Sequence, residues 1–248
     1  MRFKLGAFTA LLAATAMASI PAWSFKGSNE GQLVDSGAFG IFRQGRRIGT
    51  ETFTIHQGPD VSVVAAQLKI EDGNDKASQT SELQIASNGD LRHYEWKELS
   101  PEKAQATVEY KDQFVVEHVT VTPGSKPQER AFMLPSSTAI LDDFFTHREI
   151  LLWRYLATYC GASISAQGCR LQTGKFGVFI PRQQASAIVA LAYEGKDKLM
   201  FHGAQRELDR FTLQPEEGAA WTFWLESSYP FKLLRILVPA ENVEVLRD

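Results

Sequence analysis

Short segments of alternating polar and apolar residues follow one another along most of the chain. Residues 80–85 alternate with a period of two, the pattern of a strand with one buried face. A Gly-containing polar break at 43–47 separates the β-rich runs 38–42 and 48–55, which indicates a hairpin. The same reading predicts further strands at about 61–70, 79–86, 91–98, 104–110, 113–121, 171–180, 186–194, 198–202, 206–213, 219–226, 231–238 and 242–247.

The pattern changes near Ile140, where apolar residues recur with a helical period up to Cys160. The apolar stripe consists of Leu141, Phe144, Phe145, Leu151, Leu152, Tyr155, Leu156 and Tyr159. The polar residues outside it, which we expect to face solvent, are Asp142, Asp143, Thr146, His147, Glu149, Arg154 and Thr158. We expect Asp142 and Asp143 to lie near the helix start, where carboxylates favour the helix dipole, and Gly161 to end the helix.

These elements predict a mainly β protein with one inserted helix. These fourteen sequential strands favour a large antiparallel meander, and so wide a sheet must curl, close or split into two layers. We therefore expect a large curved antiparallel sheet or half-barrel, with the amphipathic helix at about 140–160 packed on its concave face. A β-sandwich is the alternative.

The N-terminus has the features of a secretory leader. Met1-Arg2-Phe3-Lys4 is basic, an uncharged Ala-rich run follows to about Ile20, and small residues offer cleavage sites up to Ser24. We predict a signal peptide at 1–24, a single antiparallel β domain at 25–248, and a periplasmic or secreted location. No later segment reaches membrane-span length without charges.

The charge excludes some partners. The formal net charge is -3, and no basic tract is present, so nothing favours nucleic-acid binding. The two cysteines, Cys160 and Cys169, would form a disulfide in an oxidising compartment. Two free buried thiols are the alternative. A zinc site is disfavoured, because the sequence has no third Cys and no His between these two.

The chain lacks recognisable catalytic motifs. It contains no nucleophile elbow, P-loop or dinucleotide fingerprint, and its five histidines lack metal-ligand spacing. Asp143 and His147 are one helical turn apart, but we favour a solvated contact over a metal site. Glu51, Glu82, Glu95 and Glu98 are carboxylates on predicted strands, and their pairing for hydrolysis depends on geometry. The sequence predicts no cofactor and favours a protein that is not an enzyme.

The helix carries the candidate ligand site. Its aromatic residues either fill the core or cover an apolar cavity that binds a lipid or another apolar ligand. The candidate ligand-binding residues are Phe144, Phe145, Arg148, Leu152 and Tyr155. Arg148 falls within the apolar stripe, so its guanidinium must either extend to solvent or find polar partners inside.

Three stretches carry a family resemblance. They are the hairpin from Gly40 to Phe53, the helix entry Leu141-Asp142-Asp143-Phe144-Phe145, and the closing strands 233–236 and 242–245. They resemble an uncharacterised family of secreted bacterial β-sheet proteins, a domain of unknown function. That family is similar in architecture to the outer-membrane lipoprotein carriers, whose curved sheet and helical lid hold acyl chains. The resemblance implies a periplasmic half-barrel and transfers no activity or functional residue.

Three functions fit these observations. We favour a non-enzymatic periplasmic protein that binds an apolar or amphipathic ligand, such as a lipid, or an envelope component such as an envelope protein. The second hypothesis is a structural or interaction module with a filled core. The third is a cell-envelope hydrolase that uses carboxylates of the sheet.

Overall fold

A computed structural model describes residues 31–73, 75–160 and 172–248. The predicted signal peptide and Cys169 lie outside the described residues, so the leader and the disulfide with Cys160 stay predictions. The strands are β1 Gln32–Arg43, β2 Arg46–Gln57, β3 Val61–Asp72, β4 Asp75–Ala86, β5 Leu91–Ser100, β6 Gln105–Lys111, β7 Phe114–Thr120, β8 Gln128–Phe132, β9 Ala139–Ile140, β10 Gly174–Ile180, β11 Ala185–Phe201, β12 Ala204–Pro215, β13 Trp221–Leu225, β14 Leu233–Val238 and β15 Val243–Arg247. The helix is α1 Phe145–Tyr159, and short 3₁₀ turns occupy Pro181–Gln183 and Pro239–Glu241.

All fifteen described strands belong to one sheet. Its spatial order runs from β8 back to β1, then from β15 back to β9. Neighbouring strands are antiparallel except for the short pair β9 and β10, which is parallel. The chain therefore forms two meanders that meet where β1 pairs with β15.

The two edges of this sheet come close together without pairing. β8 and β9 are the outermost strands, and a short connection joins them along the chain. The Phe132 ring on β8 packs against the Phe179 ring on β10, with their centroids 4.7 Å apart. The connection is held at Ser136, whose carbonyl accepts a 2.9 Å hydrogen bond from the Leu91 amide. The result is a curved, unclosed sheet, as the sequence predicts, and the alternative of a β-sandwich is wrong.

Local sequence explains both the regular hairpins and one deviation. Gln44 and Gly45 form the β1–β2 turn with φ values of 52° and 78°, the left-handed conformation that a two-residue hairpin turn requires. Glu194–Asp197 reads as a turn in the sequence but lies inside the 17-residue strand β11. The pairing register with β12 shifts between Tyr193 and Gly195, and Gly195 has φ +96°. The glycine therefore forms a β-bulge that bends the strand without ending it.

The helix begins later than the sequence pattern indicates. Its N-cap residue is Phe144, so Asp142 and Asp143 precede the helix. The apolar stripe is buried as expected: Phe144, Leu152 and Tyr155 are fully inaccessible to solvent. The Tyr155 ring meets Phe211 of β12 at a centroid distance of 5.8 Å, and its hydroxyl accepts a 3.3 Å hydrogen bond from the Tyr193 amide. Within the described residues, no helix combines the length and the apolar character needed to cross a membrane.

The helix is held by burial in the concavity, so removing a core side chain should destabilise the whole fold. We expect Leu152→Ala to lower the free energy of unfolding by about 2–5 kcal/mol, because it leaves a cavity under the helix. Leu33→Ala is the matched control, since Leu33 is 52% exposed, and it should cost less than about 0.5 kcal/mol. Urea unfolding measures both. Equal effects of the two substitutions would contradict the docking of the helix.

Candidate functional site

The first turn of α1 is buried inside the sheet, although its polar residues were expected to face solvent. Thr146, His147 and Glu149 are each at most 1% exposed. That expectation is wrong because the concave face of the sheet supplies polar partners to Thr146 and Glu149, while the His147 ring packs against Tyr94 and Phe144. A polar residue on a helix therefore does not by itself mark a solvated surface.

Glu51 on β2 is the main partner of the helix N-terminus. Its carboxylate accepts hydrogen bonds from the backbone amides of Phe145 at 2.6 Å and Thr146 at 2.9 Å, and another from the Thr146 hydroxyl. Phe144, the N-cap residue, has no side-chain oxygen to satisfy these amides. Burial raises the pKa of Glu51 above its usual value, while the bonds from Thr146 and Phe145 oppose that rise. A carboxylate of the sheet therefore replaces the local helix cap.

Arg148 satisfies the carbonyl groups just before the helix. Its Nη1 donates to the carbonyl oxygens of Asp142 and, at 2.6 Å, Phe144. The guanidinium also lies over the Trp221 ring, 5.0 Å from its centroid. Burial lowers the pKa of Arg148 to about 10, which still leaves it charged at neutral pH. Of the two alternatives that the sequence left open, Arg148 adopts the buried one, with internal polar partners.

A second ionic group holds the next turn of the helix. The Glu149 Oε1 accepts a 3.1 Å hydrogen bond from the Leu233 amide and lies 3.7 Å from Arg247 Nη1. Arg247 in turn makes two hydrogen bonds, of 2.6 and 2.8 Å, to the buried carboxylate of Asp35 on β1. Burial raises the pKa of Glu149 well above its usual value. This group ties α1 to the strands where the two meanders meet.

A third polar group lies near the unpaired edges of the sheet. The Tyr94 hydroxyl donates to Asp142 Oδ2 at 2.9 Å. Burial raises the pKa of Asp142 to about 6, against the opposing effects of Tyr94 and Arg182. Burial and the neighbouring Asp142 raise the pKa of Glu117, on β7, to about 7. These carboxyl groups take up protons more readily in the folded protein than in the unfolded chain.

One flank of α1 borders a cavity of about 630 Å³ that lies between the helix and the sheet. We refer to this space as the helix-flank cavity. Its walls come from α1, the inner faces of β2, β4 and β5, the β8–β9 connection, and the β13–β14 loop. The lining residues are Val34, Ile55, Gln57, Ser62, Leu83, Ile85, Ser87, Asn88, Gly89, Leu91, Thr138, Ala139, Ile140, His147, Ile150, Leu151, Trp153, Arg154, Leu156, Ala157, Thr158, Tyr229, Pro230 and Phe231. Small-molecule sites have volumes of about 300–1,000 Å³ and mostly apolar walls, so this space fits a ligand.

The cavity has an exposed mouth and a buried floor. Ala157, Thr158 and Tyr229 are exposed lining residues and mark the mouth. The buried part of the lining includes His147 and Thr138, which are 1% and 2% exposed. Trp153 closes one side, where its indole donates a 3.0 Å hydrogen bond to the Phe231 carbonyl. An entering molecule would therefore lie along the helix.

Two buried residues of the lining, His147 and Thr138, carry polar atoms without partners. Neither ring nitrogen of His147 has a hydrogen-bond partner among the described residues, and the Thr138 hydroxyl has none there either. Burial, with a smaller effect of the nearby Arg148 charge, lowers the pKa of His147 to about 3. The imidazole is therefore neutral at physiological pH and offers one donor and one acceptor.

The five candidate ligand-binding residues lie on another side of the helix. Phe144, Phe145, Arg148, Leu152 and Tyr155 are buried against the sheet, and none of them lines the helix-flank cavity. Their role in binding a ligand stays a prediction. The cavity is instead lined by a stripe with helical spacing, namely His147, Ile150, Leu151, Arg154, Ala157 and Thr158. This spacing is readable in the sequence, but three of its members are polar and were assigned to the solvated face.

The remaining chemical candidates are separated in space. Glu82 and Glu95 are cross-strand partners on the face of β4 and β5 opposite the buried Leu83 and Tyr94. Glu51 lies on the inner face, where it caps the helix, so these carboxylates do not share a cleft. Asp143 pairs with Arg182. Within the described residues, no group of three or more metal-ligating side chains is present.

Cys160 lies at the C-terminal end of α1, where it is the C-cap residue and is 3% exposed. Its predicted partner, Cys169, lies outside the described residues. The disulfide would anchor the end of the helix opposite Glu51.

The fold and cavity define a class: an open, barrel-like sheet that wraps around one buried helix and leaves a cavity beside it. The chain is similar in structure to a protein described as a β-barrel-like protein of domain of unknown function DUF1849 from Brucella abortus. The TM-score is 0.54 over 89% of this chain and 97% of that one, at 6% sequence identity. At this identity the likeness shows the fold alone. No family model matches the sequence, and no curated protein matches it.

The cap formed by Glu51 should be measurable in stability. We expect Glu51→Ala to lower the free energy of unfolding by about 2–4 kcal/mol, because two buried amides lose their acceptor. Glu51→Gln keeps one oxygen acceptor and should lose less. Glu82→Ala, on the outer face of the sheet, is the control and should change stability by less than about 0.5 kcal/mol. A Glu51→Ala protein as stable as the control would contradict the capping role.

His147 should make the protein sensitive to acid. Its pKa is about 3 when folded, below the ordinary value of 6.5, so the unfolded chain binds the proton more readily. Stability from this group is therefore complete above pH 6.5 and declines as the pH falls toward 3. Asp142 and Glu117 act in the opposite direction, since their raised pKa values of about 6 and 7 reduce stability as the pH rises through this range.

We test this contribution by comparing wild type with His147→Leu, in which both carboxyl groups remain. Between pH 6.5 and 4, wild type should lose on the order of 3 kcal/mol more stability than the variant. Urea unfolding at each pH provides the measurement. Parallel pH profiles for the two proteins would show that His147 is not buried in neutral form.

Proposed function

We propose that this is a non-enzymatic binding protein that acts in the periplasm or outside the cell and holds an apolar or amphipathic ligand. The observation that carries the proposal is the helix-flank cavity, which has apolar walls, a solvent-exposed mouth and a volume of about 630 Å³. Open, mostly apolar cavities of this size are the usual form of small-molecule sites, so this one points to an occupant.

The walls indicate the chemistry of the ligand. Ile55, Leu83, Leu91, Ile140 and Leu151 are all buried and line the inner part of the cavity. An alkyl chain or a flat apolar molecule would bury its surface against them, with roughly 25 cal/mol gained per Å² removed from water. The lining also contains polar side chains, such as Gln57, Asn88 and Arg154, which suits an amphipathic molecule better than a wholly apolar one.

The sequence supports the location. The basic start, the uncharged Ala-rich run and the small residues up to Ser24 are the features of an export signal. The family resemblance of the sequence also implies an architecture like that of the outer-membrane lipoprotein carriers, in which a curved sheet and a helix hold acyl chains. Transport or storage of a lipid between the membranes of the envelope is the role that these features favour.

A blocked cavity mouth tests this function. Ala157 lies on the exposed part of α1 and lines the cavity, so Ala157→Trp should place an indole in the mouth without disturbing the core. We expect native mass spectrometry of wild-type protein, purified from the periplasm, to show a co-purified small molecule. In Ala157→Trp its bound fraction should fall by about tenfold or more.

Ala204→Trp is the matched control, because Ala204 is also exposed but does not line the cavity. It should retain the ligand of the wild type. The neutral dye N-phenylnaphthylamine provides a second measurement, since it should bind wild type and Ala204→Trp but not Ala157→Trp. If wild type carries no small molecule and does not bind the dye, the proposed function is wrong.

A further inference from the structure

The helix-flank cavity has a single cationic group in its lining. In the described part of the chain, the lining contains one arginine, Arg154, with no lysine and no aspartate or glutamate. His147 also lines the cavity, but its imidazole is neutral at physiological pH because its pKa is about 3. A molecule inside the cavity therefore borders one positive charge and no carboxylate.

Arg154 lies where the cavity opens to solvent. Its side chain is half-exposed, and it shares one face of α1 with the exposed lining residues Ala157 and Thr158, three and four positions further on. On the side of the sheet, its Nε lies 3.9 Å from the position that a Cβ on Gly89 would occupy. Gly89 and its exposed neighbour Asn88 also line the cavity. The charge is therefore at the mouth, between the helix and the β4–β5 turn.

The guanidinium has hydrogen-bonding capacity to spare. Its Nη1 donates a 2.6 Å hydrogen bond to the Ser137 carbonyl, and its Cζ lies 5.8 Å from the centroid of the Phe176 ring. A guanidinium has five N–H donors, and Arg154 forms no further hydrogen bond and no salt bridge between described residues. Asp90 attracts it only through its charge, since the Asp90 carboxylate accepts a 3.0 Å hydrogen bond from the Asn88 side-chain amide. Donors of Arg154 thus remain for a ligand.

Partial burial makes this charge costly. Desolvation lowers the pKa of Arg154 below its usual value, and the Asp90 charge opposes that effect. The hydrogen-bond partner of Arg154, a neutral carbonyl, does not compensate the charge, whereas an anion would. A carboxylate or a phosphate also matches the planar fork of a guanidinium and accepts two parallel hydrogen bonds from it.

The apolar part of the cavity begins one helical turn from this charge. Ile150 and Leu151 precede Arg154 by four and three residues, which corresponds to about 5 Å along the helix axis, and both line the cavity. Leu151 is buried, so the lining becomes apolar and inaccessible to solvent over this distance. The cavity therefore combines a cation at its mouth with an apolar interior.

We infer that the ligand is an anionic amphiphile whose acidic headgroup pairs with Arg154 at the mouth, while its alkyl chain extends past Ile150 and Leu151 into the cavity. Carboxylate and phosphate headgroups share the required chemistry. This inference rests on the proposed function and adds the headgroup chemistry and the orientation of the ligand.

Four probes of equal chain length test the inference by displacement of N-phenylnaphthylamine from protein purified from the periplasm. They are n-decanoate, n-decyl phosphate, n-decanol and n-decylammonium, each used below its micelle concentration. The measured quantity is the ratio of the affinity for an anionic probe to the affinity for n-decanol. We expect Arg154→Gln to reduce this ratio about tenfold, because a charge-assisted pairing with the anion is lost. The affinity for n-decanol should stay within about twofold.

Two variants separate the charge at the mouth from charge elsewhere. Arg92→Gln is the matched control, because Arg92 is exposed and does not line the cavity, and it should leave the ratio unchanged. Arg154→Lys keeps the charge without the planar fork and should retain part of the ratio. Raising the ionic strength should lower the ratio in the wild type, since it screens a half-exposed charge. Thermal unfolding establishes that each variant is folded. If Arg154→Gln is not, Arg154→Lys and the salt series carry the test.

The other outcomes separate the two claims. If the ratio is the same in wild type and Arg154→Gln, with the dye and n-decanol still bound, the inference is overturned while the proposed function stands. Tighter binding of n-decylammonium than of both anionic probes would also overturn it. Whichever anionic probe binds more tightly identifies the headgroup as carboxylate or phosphate, and either supports the inference. If neither the dye nor any probe binds, the proposed function fails and the inference fails with it.

Discussion

The architecture depends on the pairing of one sheet carboxylate with the buried start of the helix. The first amides of any helix lack partners within it, and here they lie inside the sheet, away from solvent. Glu51 on β2 accepts from Phe145 and Thr146, and Arg148 donates to the carbonyls before them. Without these contacts, burial of the helix start would leave several polar groups unsatisfied. One turn further along, the helix carboxylate of Glu149 accepts from the Leu233 amide and lies beside the Arg247–Asp35 pair.

The helix-flank cavity is a consequence of this anchoring. Polar contacts fix the first turns of α1, and the aromatic stripe packs Tyr155 against Phe211 on the far meander. The His147 ring still packs against Tyr94 of β5, whereas the flank from Ile150 to Thr158 borders the cavity. A helix held only by apolar packing could shift to fill such a space. One fixed by directional hydrogen bonds cannot, so the cavity persists at the cost of an unsatisfied His147.

The sequence predicted the elements better than the site. Period-two alternation and turn residues located most strands, because one face of the sheet is buried throughout. The sequence indicates a turn at Glu194–Asp197, but the structure has a β-bulge there. A glycine with positive φ fits both conformations. The larger error concerns Thr146, His147 and Glu149, which were assigned to solvent. The partners of Thr146 and Glu149 come from strands far away in the chain, namely β2 and the start of β14, and helical periodicity cannot report such contacts. The cavity stripe was overlooked for the same reason.

Hydrogen exchange at the amides of Phe145 and Thr146 tests the central claim most directly. If Glu51 holds the helix start inside the sheet, both amides should exchange only through global unfolding, as slowly as those in the middle of β2. Residue-resolved exchange by NMR, in native buffer, measures this. Rapid exchange of the two amides while the β2 amides remain protected would show that the helix start opens by itself, and it would contradict the account.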